Sequence, residues 1–79
     1  MNWAERIVAD PEVLVGKPTI RGTRLSVEFI LERLAEGWTE AELMYNYPRL
    51  TSDDLRAVFA YASDSLKDGL FIPLASIPE

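Results

Sequence analysis

Between Leu14 and Val27 the sequence places Lys17, Arg21 and Arg24 with no acidic residue among them, so three of its eight cations share one short window. Thr23 adds a hydroxyl inside the same stretch. Ammonium and guanidinium groups at this spacing suit phosphate oxygens, and a basic ribbon beside a helical core can contact the DNA backbone or enter the minor groove. Arg49, in the short connection before a later helix, and Ser52 and Arg56 on that helix are further candidates for DNA contact, the two arginines for phosphate or guanine. Asp53, Asp54 and Asp64 on that helix oppose such contact, because carboxylates face phosphates poorly. The other employment open to Arg21 and Arg24 is to pair with carboxylates of the helices.

A second pattern is acidic. Glu28, Glu32 and Glu36 recur every fourth residue and line one helical face with like charge, which weakens an isolated helix by roughly 0.2–0.5 kcal/mol per pair. The stripe is either a solvated face or a partner surface. In the second case it meets the basic ribbon of another subunit or a basic protein.

Composition closes other routes. The 79 residues include neither His nor Cys, which removes the imidazole base, the thiolate nucleophile and the usual metal ligands. Tyr45, Tyr47 and Tyr61 have no base or metal cluster beside them in sequence. The expectation is therefore no catalytic residue, no metal, no cofactor and no enzymatic activity. A net charge of −5 and a pI near 4.6 exclude a globally basic nucleic-acid binder and leave only the local patch. Apolar runs fall far short of the roughly 20 residues that cross a bilayer, and Glu5, Arg6 and Asp10 interrupt the N-terminus. A cytoplasmic protein with no membrane partner is expected.

These groups must be positioned by a short extended segment and three helices. Pro11, Gly16, Pro18 and Gly22 forbid a long helix in residues 1–25, while Val13, Val15, Thr19, Ile20 and Thr23 favour extended backbone. A ribbon is predicted between Thr19-Ile20 and Thr23-Arg24-Leu25, turning at Arg21-Gly22. Val27, Ile30, Leu31 and Leu34 have a helical period, with Ser26 as N-cap and Gly37 past the C-terminus. Thr39-Glu40-Ala41-Glu42 is a capping box for a second helix that Pro48 ends. Thr51-Ser52-Asp53-Asp54 caps a third and longest helix, whose buried stripe is read as Leu55, Val58 or Phe59, Ala62 and Leu66, ending at Gly69. The last stretch, residues 70–79, is apolar and cut by Pro73 and Pro78. Its Leu70, Phe71, Ile72 and Leu74 either pack on the chain's own core or dock on a partner.

The fold class is thus mainly α, a three-helix core over residues 26–69 with an N-terminal β arm over 1–25 and an apolar tail, one domain in all. A chain of this size buries only about 60–65% of its unfolded surface. With no disulfide or metal to compensate, a homodimer is expected. Trp3 and Trp38 are read as core or dimer-interface anchors.

The ordered set Ile7-Val8-Ala9-Asp10-Pro11-Glu12-Val13, Gly16-Lys17-Pro18-Thr19-Ile20-Arg21-Gly22-Thr23-Arg24, Gly37-Trp38 and Tyr47-Pro48 with Leu50-Thr51 and Asp54-Leu55 resembles the small prokaryotic DUF433 family over about residues 7–64. Val15 departs from its pattern, which often has a second glycine there. The resemblance implies a homeodomain-like helix-turn-helix core with a β arm, commonly dimeric, and a role like that of VapB-type antitoxins. Such a protein would silence a PIN-like ribonuclease toxin and, as a dimer, repress their shared promoter. Residues 16–24 would form the arm and 51–66 the recognition helix. The alternative function is a homodimeric protein-interaction module with no DNA role, in which the basic ribbon pairs with Glu28, Glu32 and Glu36 across the dimer.

Overall fold

The computed structural model of the 79-residue chain describes residues 1–67. The apolar tail, with Leu70, Phe71, Ile72 and Leu74, and the helix stop at Gly69 lie outside the described residues. The order of elements is a 3₁₀ turn (Trp3–Glu5), β1 (Ile7–Val8), a second 3₁₀ turn (Leu14–Gly16), β2 (Thr19–Ile20), α1 (Val27–Ala35), α2 (Glu40–Asn46) and α3 (Ser52–Lys67). The fold is mainly helical, with one small antiparallel sheet near its start.

Each helix starts where a side chain satisfies a free amide. The Ser26 hydroxyl accepts from the Phe29 amide and opens α1. Thr39 and Glu42 exchange the two bonds of the capping box at α2. Thr51 and Asp54 repeat the device at α3, the Thr51 hydroxyl accepting from the Asp54 amide at 3.1 Å and the Asp54 carboxylate from the Thr51 amide at 3.0 Å. Gly37, at φ +101°, ends α1 in the left-handed region where glycine is free of Cβ strain. α2 stops ahead of Pro48.

The strand pairing differs from the predicted ribbon. β2 pairs with β1, Ile7 opposite Ile20 and Val8 opposite Thr19. Toward the chain that follows, β2 keeps a bond from the Ile20 amide to the Leu25 carbonyl and an isolated bridge from Thr19 to Ser26. The Thr23 hydroxyl explains this, because it donates to the Ile20 carbonyl at 2.8 Å and accepts from the Leu25 amide at 3.0 Å, closing the turn on itself. The β arm is also part of the core: Ile7 and Ile20 are buried with Val27, Ile30, Leu43, Leu50, Leu55, Ala57 and Val58.

On α3, Leu55 and Val58 are buried as expected, whereas Phe59 and Leu66 are among the exposed large hydrophobic residues. Their place is taken by Ala57, by the half-buried Tyr61 and by the buried Asp54. Trp3 packs edge-on against Tyr61 at 4.9 Å between ring centroids and donates its indole N–H to Asp64 at 2.7 Å. Trp38 lies half-buried against the core, and Phe29 meets Tyr47 edge-on at 5.6 Å.

Asp54 joins the two ends of the described chain. Besides capping α3, it accepts from the Arg6 guanidinium at 3.0 Å, and the same guanidinium reaches Asp53 at 3.6 Å. Asp54→Asn is expected to destabilise the fold by about 2–3 kcal/mol, since it strips a buried carboxylate from both partners. Asp53→Asn, at an exposed pair, should cost under about 1 kcal/mol. Urea midpoints of the two variants check the contrast, and equal losses would contradict it.

The second 3₁₀ turn is left-handed. Leu14 and Val15 have φ of 49° and 57°, although neither is glycine, and the Val15 side chain is 94% exposed. A left-handed residue with a Cβ costs about 1–2 kcal/mol, and glycine's extra unfolded-state freedom returns only about 0.5–1 of that. Val15→Gly should therefore raise the melting temperature by a few degrees, at about 4–8 °C per kcal/mol for a domain near this size. A lower melting temperature would show that the exposed side chain contributes packing.

Candidate functional site

The chain leaves β2 at Ile20 and reverses through Arg21-Gly22-Thr23-Arg24, with Gly22 at φ +78°. Two arginines are fixed around this turn by main-chain carbonyls. Arg21 donates through Nε to the Glu5 carbonyl at 2.9 Å, and Arg49, from the α2–α3 connection, donates through Nη1 to the Gly22 carbonyl at 3.0 Å. Arg21, Arg24 and Arg49 line one cleft of about 520 Å³ with Gly22 and Thr23 of the turn, and Val8, Ala9, Asp10, Val13 and Thr19 complete its wall.

This anchoring leaves positive charge uncompensated. Among the described residues Arg21, Arg24, Arg49 and Arg56 form no ion pair, while Arg6, Lys17, Arg33 and Lys67 do. The chain carries 13 acidic residues against eight cations, so a shortage of carboxylates does not explain the four unpaired arginines. Burial does not either, since all four are exposed.

Of the other sequence candidates, Thr23 also lines this cleft, whereas Lys17 and the acidic stripe lie elsewhere. Lys17 donates to Glu28 at 2.8 Å, and that hydrogen bond, reinforced by the Glu28 charge, holds its ammonium pKa above the ordinary lysine value. It borders a different, apolar groove of about 610 Å³ with Pro18, Val27, Leu31, Ala35 and Tyr61. Thr23 is committed to the turn through both roles of its hydroxyl. Within the acidic stripe, Glu36 pairs with Arg33 at 2.9 Å and Glu32 approaches the same guanidinium at 3.9 Å. The stripe thus finds cations within its own chain, from Lys17 and Arg33. Arg33 also stacks over Phe29 at 4.7 Å from the ring centre.

At about 100° per residue, Ser52, Arg56, Ser63 and Lys67 fall within one exposed arc of α3, with the exposed Asp53 and Asp64 at its edge and Lys67 3.9 Å from Asp64. Asp54 is buried against Arg6, Asp53 leans to the same guanidinium, and Asp64 receives the Trp3 indole. Of the three acids only Asp54 is buried, so the expected opposition to a bound phosphate is reduced at Asp54 and persists at the exposed Asp53 and Asp64. Arg6, Arg33 and the true role of Asp54 were absent from the sequence-based candidates. The Thr51-to-Asp54 spacing marks the cap, but no local pattern ties Arg6 to a residue 48 positions away.

Among the described residues no cluster of carboxylates assembles into a metal site, and no helix is long and apolar enough to cross a membrane. A crystal structure of a DUF433 member protein from Anabaena variabilis ATCC 29413 is 33% identical and superposes with a TM-score of 0.73, covering 80% of this chain and 62% of that one. The uncharacterized protein y4eO of Sinorhizobium fredii (strain NBRC 101917 / NGR234) is 27% identical over 75 residues. The match takes in 95% of this chain but only about a third, 34%, of that relative. The family model "Protein of unknown function (DUF433)" matches residues 7–62, the span that holds the strand pair, the arginine cleft and most of α3, and the chain belongs to that family.

Proposed function

We propose that this DUF433 protein is a DNA-binding regulator of the antitoxin type, with a homeodomain-like helix-turn-helix formed by α2 and α3. The observation that carries the reading is the set of unpaired arginines in an acidic chain. Arg21, Arg24 and Arg49 gather at one cleft, and Arg56 stands on the outer arc of α3. Arg49 precedes Ser52 by three positions, so the cleft adjoins the N-terminal end of α3, the end that a recognition helix presents to base edges. In this reading Arg21, Arg24 and Arg49 hold backbone phosphates, and Ser52 and Arg56 approach the major groove.

The resemblance to VapB-type antitoxins supplies the rest of the proposal. The protein acts as a homodimer in the cytoplasm, a PIN-like ribonuclease is its protein partner, and the complex represses the promoter from which both are made. The competing reading, a dimeric interaction module with no DNA role, needs the basic ribbon to meet Glu28, Glu32 and Glu36 of a second copy. The in-chain pairing of Lys17 with Glu28 and of Arg33 with Glu36 weakens that requirement.

Fluorescence anisotropy with duplex DNA from the protein's own upstream region tests the proposal across a salt series. Each phosphate contact contributes about 0.9 to the slope of log affinity against log salt, so Arg21→Ala with Arg24→Ala should reduce that slope by about 1.8. Sedimentation of the double variant should show the wild-type oligomeric state. Dissociation of the dimer by the double substitution, with no DNA binding by the wild-type protein, would favour the interaction module. Failure of the wild-type protein to bind that duplex even with its protein partner present would overturn the DNA reading.

A further inference from the structure

The cleft has a composition that backbone contact alone does not require. Its volume, about 520 Å³, is in the range of small-molecule sites, roughly 300–1,000 Å³. A run of duplex phosphates needs only an exposed basic surface. The lining of the cleft combines three arginines, Arg21, Arg24 and Arg49, with the apolar residues Val8, Ala9 and Val13 and one acid, Asp10, and Arg21 also borders the adjacent cleft of Glu5, Arg6 and Asp54. One Asp10 oxygen accepts from the Glu12 amide at 2.9 Å, which fixes the carboxylate in a local turn.

We infer that this cleft is a binding site for a phosphate monoester carrying a ring-sized organic group, such as a nucleoside 5′-phosphate. The inference rests on the reading of Arg21, Arg24 and Arg49 as phosphate ligands and adds to it the identity of the ester. Charge selects the monoester. Three guanidiniums less one carboxylate leave a net charge of about +2, which matches the roughly −1.5 to −2 of a phosphate monoester at neutral pH and not the single charge of a diester. The anchored arginines contribute prepositioned donors, because Arg21 spends Nε and Arg49 one Nη1 hydrogen on carbonyls while their remaining N–H groups stay available. Arg24 has no hydrogen-bond partner among the described residues and supplies a full guanidinium fork. The Val8, Ala9 and Val13 wall covers the face of the attached group, and the second Asp10 oxygen can accept from a sugar hydroxyl or an exocyclic amine.

The same ester has two sources, a free mononucleotide or the 5′-phosphorylated end of a strand. Titrations of the full chain with adenosine 5′-monophosphate, inorganic phosphate, 3′,5′-cyclic adenosine monophosphate and a short oligonucleotide with and without a 5′-phosphate distinguish them. Calorimetry provides the affinities. The expected result is saturable one-to-one binding of the 5′-monophosphate, about tenfold tighter than inorganic phosphate or the cyclic diester, a difference of about 1.4 kcal/mol. Arg24→Ala should abolish it with an unchanged melting temperature, and Arg24→Lys should restore only part. Preference for the 5′-phosphorylated oligonucleotide over its 5′-hydroxyl form, beyond the mononucleotide itself, assigns the site to strand ends, and equal affinity for mononucleotide and strand assigns it to the free ester. Equal affinity for inorganic phosphate and the mononucleotide, or retention of binding in Arg24→Ala, overturns the inference. Loss of all small-phosphate binding alongside intact binding of a 5′-hydroxyl duplex overturns it while leaving the DNA reading in place, and loss of both overturns both.

Discussion

The carboxylate of Asp54 is where the N-terminal segment and the third helix are held to each other. One of its oxygens caps α3 through the Thr51 amide and the other takes the Arg6 guanidinium, so one buried group serves a local and a long-range contact. Strand β1 follows Arg6 directly, and β1 in turn orders β2 and the arginine turn. The Arg6 carbonyl receives the Arg21 amide at 2.8 Å, and the neighbouring Glu5 carbonyl receives the Arg21 side chain. The position of the cleft therefore depends on an ion pair formed outside it. Among the described residues the core holds nine buried apolar side chains, which leaves little margin for losing such a joint.

Charge is divided by function across the molecule. Arg6, Lys17, Arg33 and Lys67 neutralise carboxylates and brace the fold, and each lies within 4 Å of its acid. Among the described residues Arg21, Arg24, Arg49 and Arg56 have no carboxylate partner. Exposed guanidiniums in an acidic chain would lower the electrostatic energy by pairing, though only by about 0–1 kcal/mol each, so geometry easily prevents it. The main-chain carbonyls of Glu5 and Gly22 do this for two of them, because a neutral acceptor orients a guanidinium without cancelling its charge.

Local features were legible in the sequence wherever one turn of chain contains both partners. The caps at Ser26 and Thr39, the stop at Gly37 and the end of α2 before Pro48 all follow from residues within a few positions of each other. The three helices and the basic turn followed from the same signals. Pairings across the chain were not legible. β2 pairs with Ile7-Val8 on one edge and keeps only bridge contacts toward Leu25 and Ser26 on the other, where the Thr23 hydroxyl engages the Ile20 carbonyl and the Leu25 amide that a longer local ribbon would pair. On α3 the stripe of Leu55, Val58 and Ala62 is legible, but the burial of Asp54 is not, because it depends on an arginine that no periodicity links to it. For the same reason the sequence places Arg49 in the α2–α3 connection but does not show that its guanidinium is held by the Gly22 carbonyl.

The central claim is that the unpaired arginines form one nucleic-acid-binding face distinct from the Lys17 and Glu28 side of the molecule. Backbone amide NMR spectra recorded during titration with upstream duplex DNA test it most directly. Shifts concentrated at Gly22, Thr23, Arg24, Arg49, Ser52 and Arg56, with Lys17, Glu28 and Glu32 unmoved, are the predicted result. Shifts confined to Lys17 and the α1 stripe, or none at DNA concentrations that saturate binding, would contradict it.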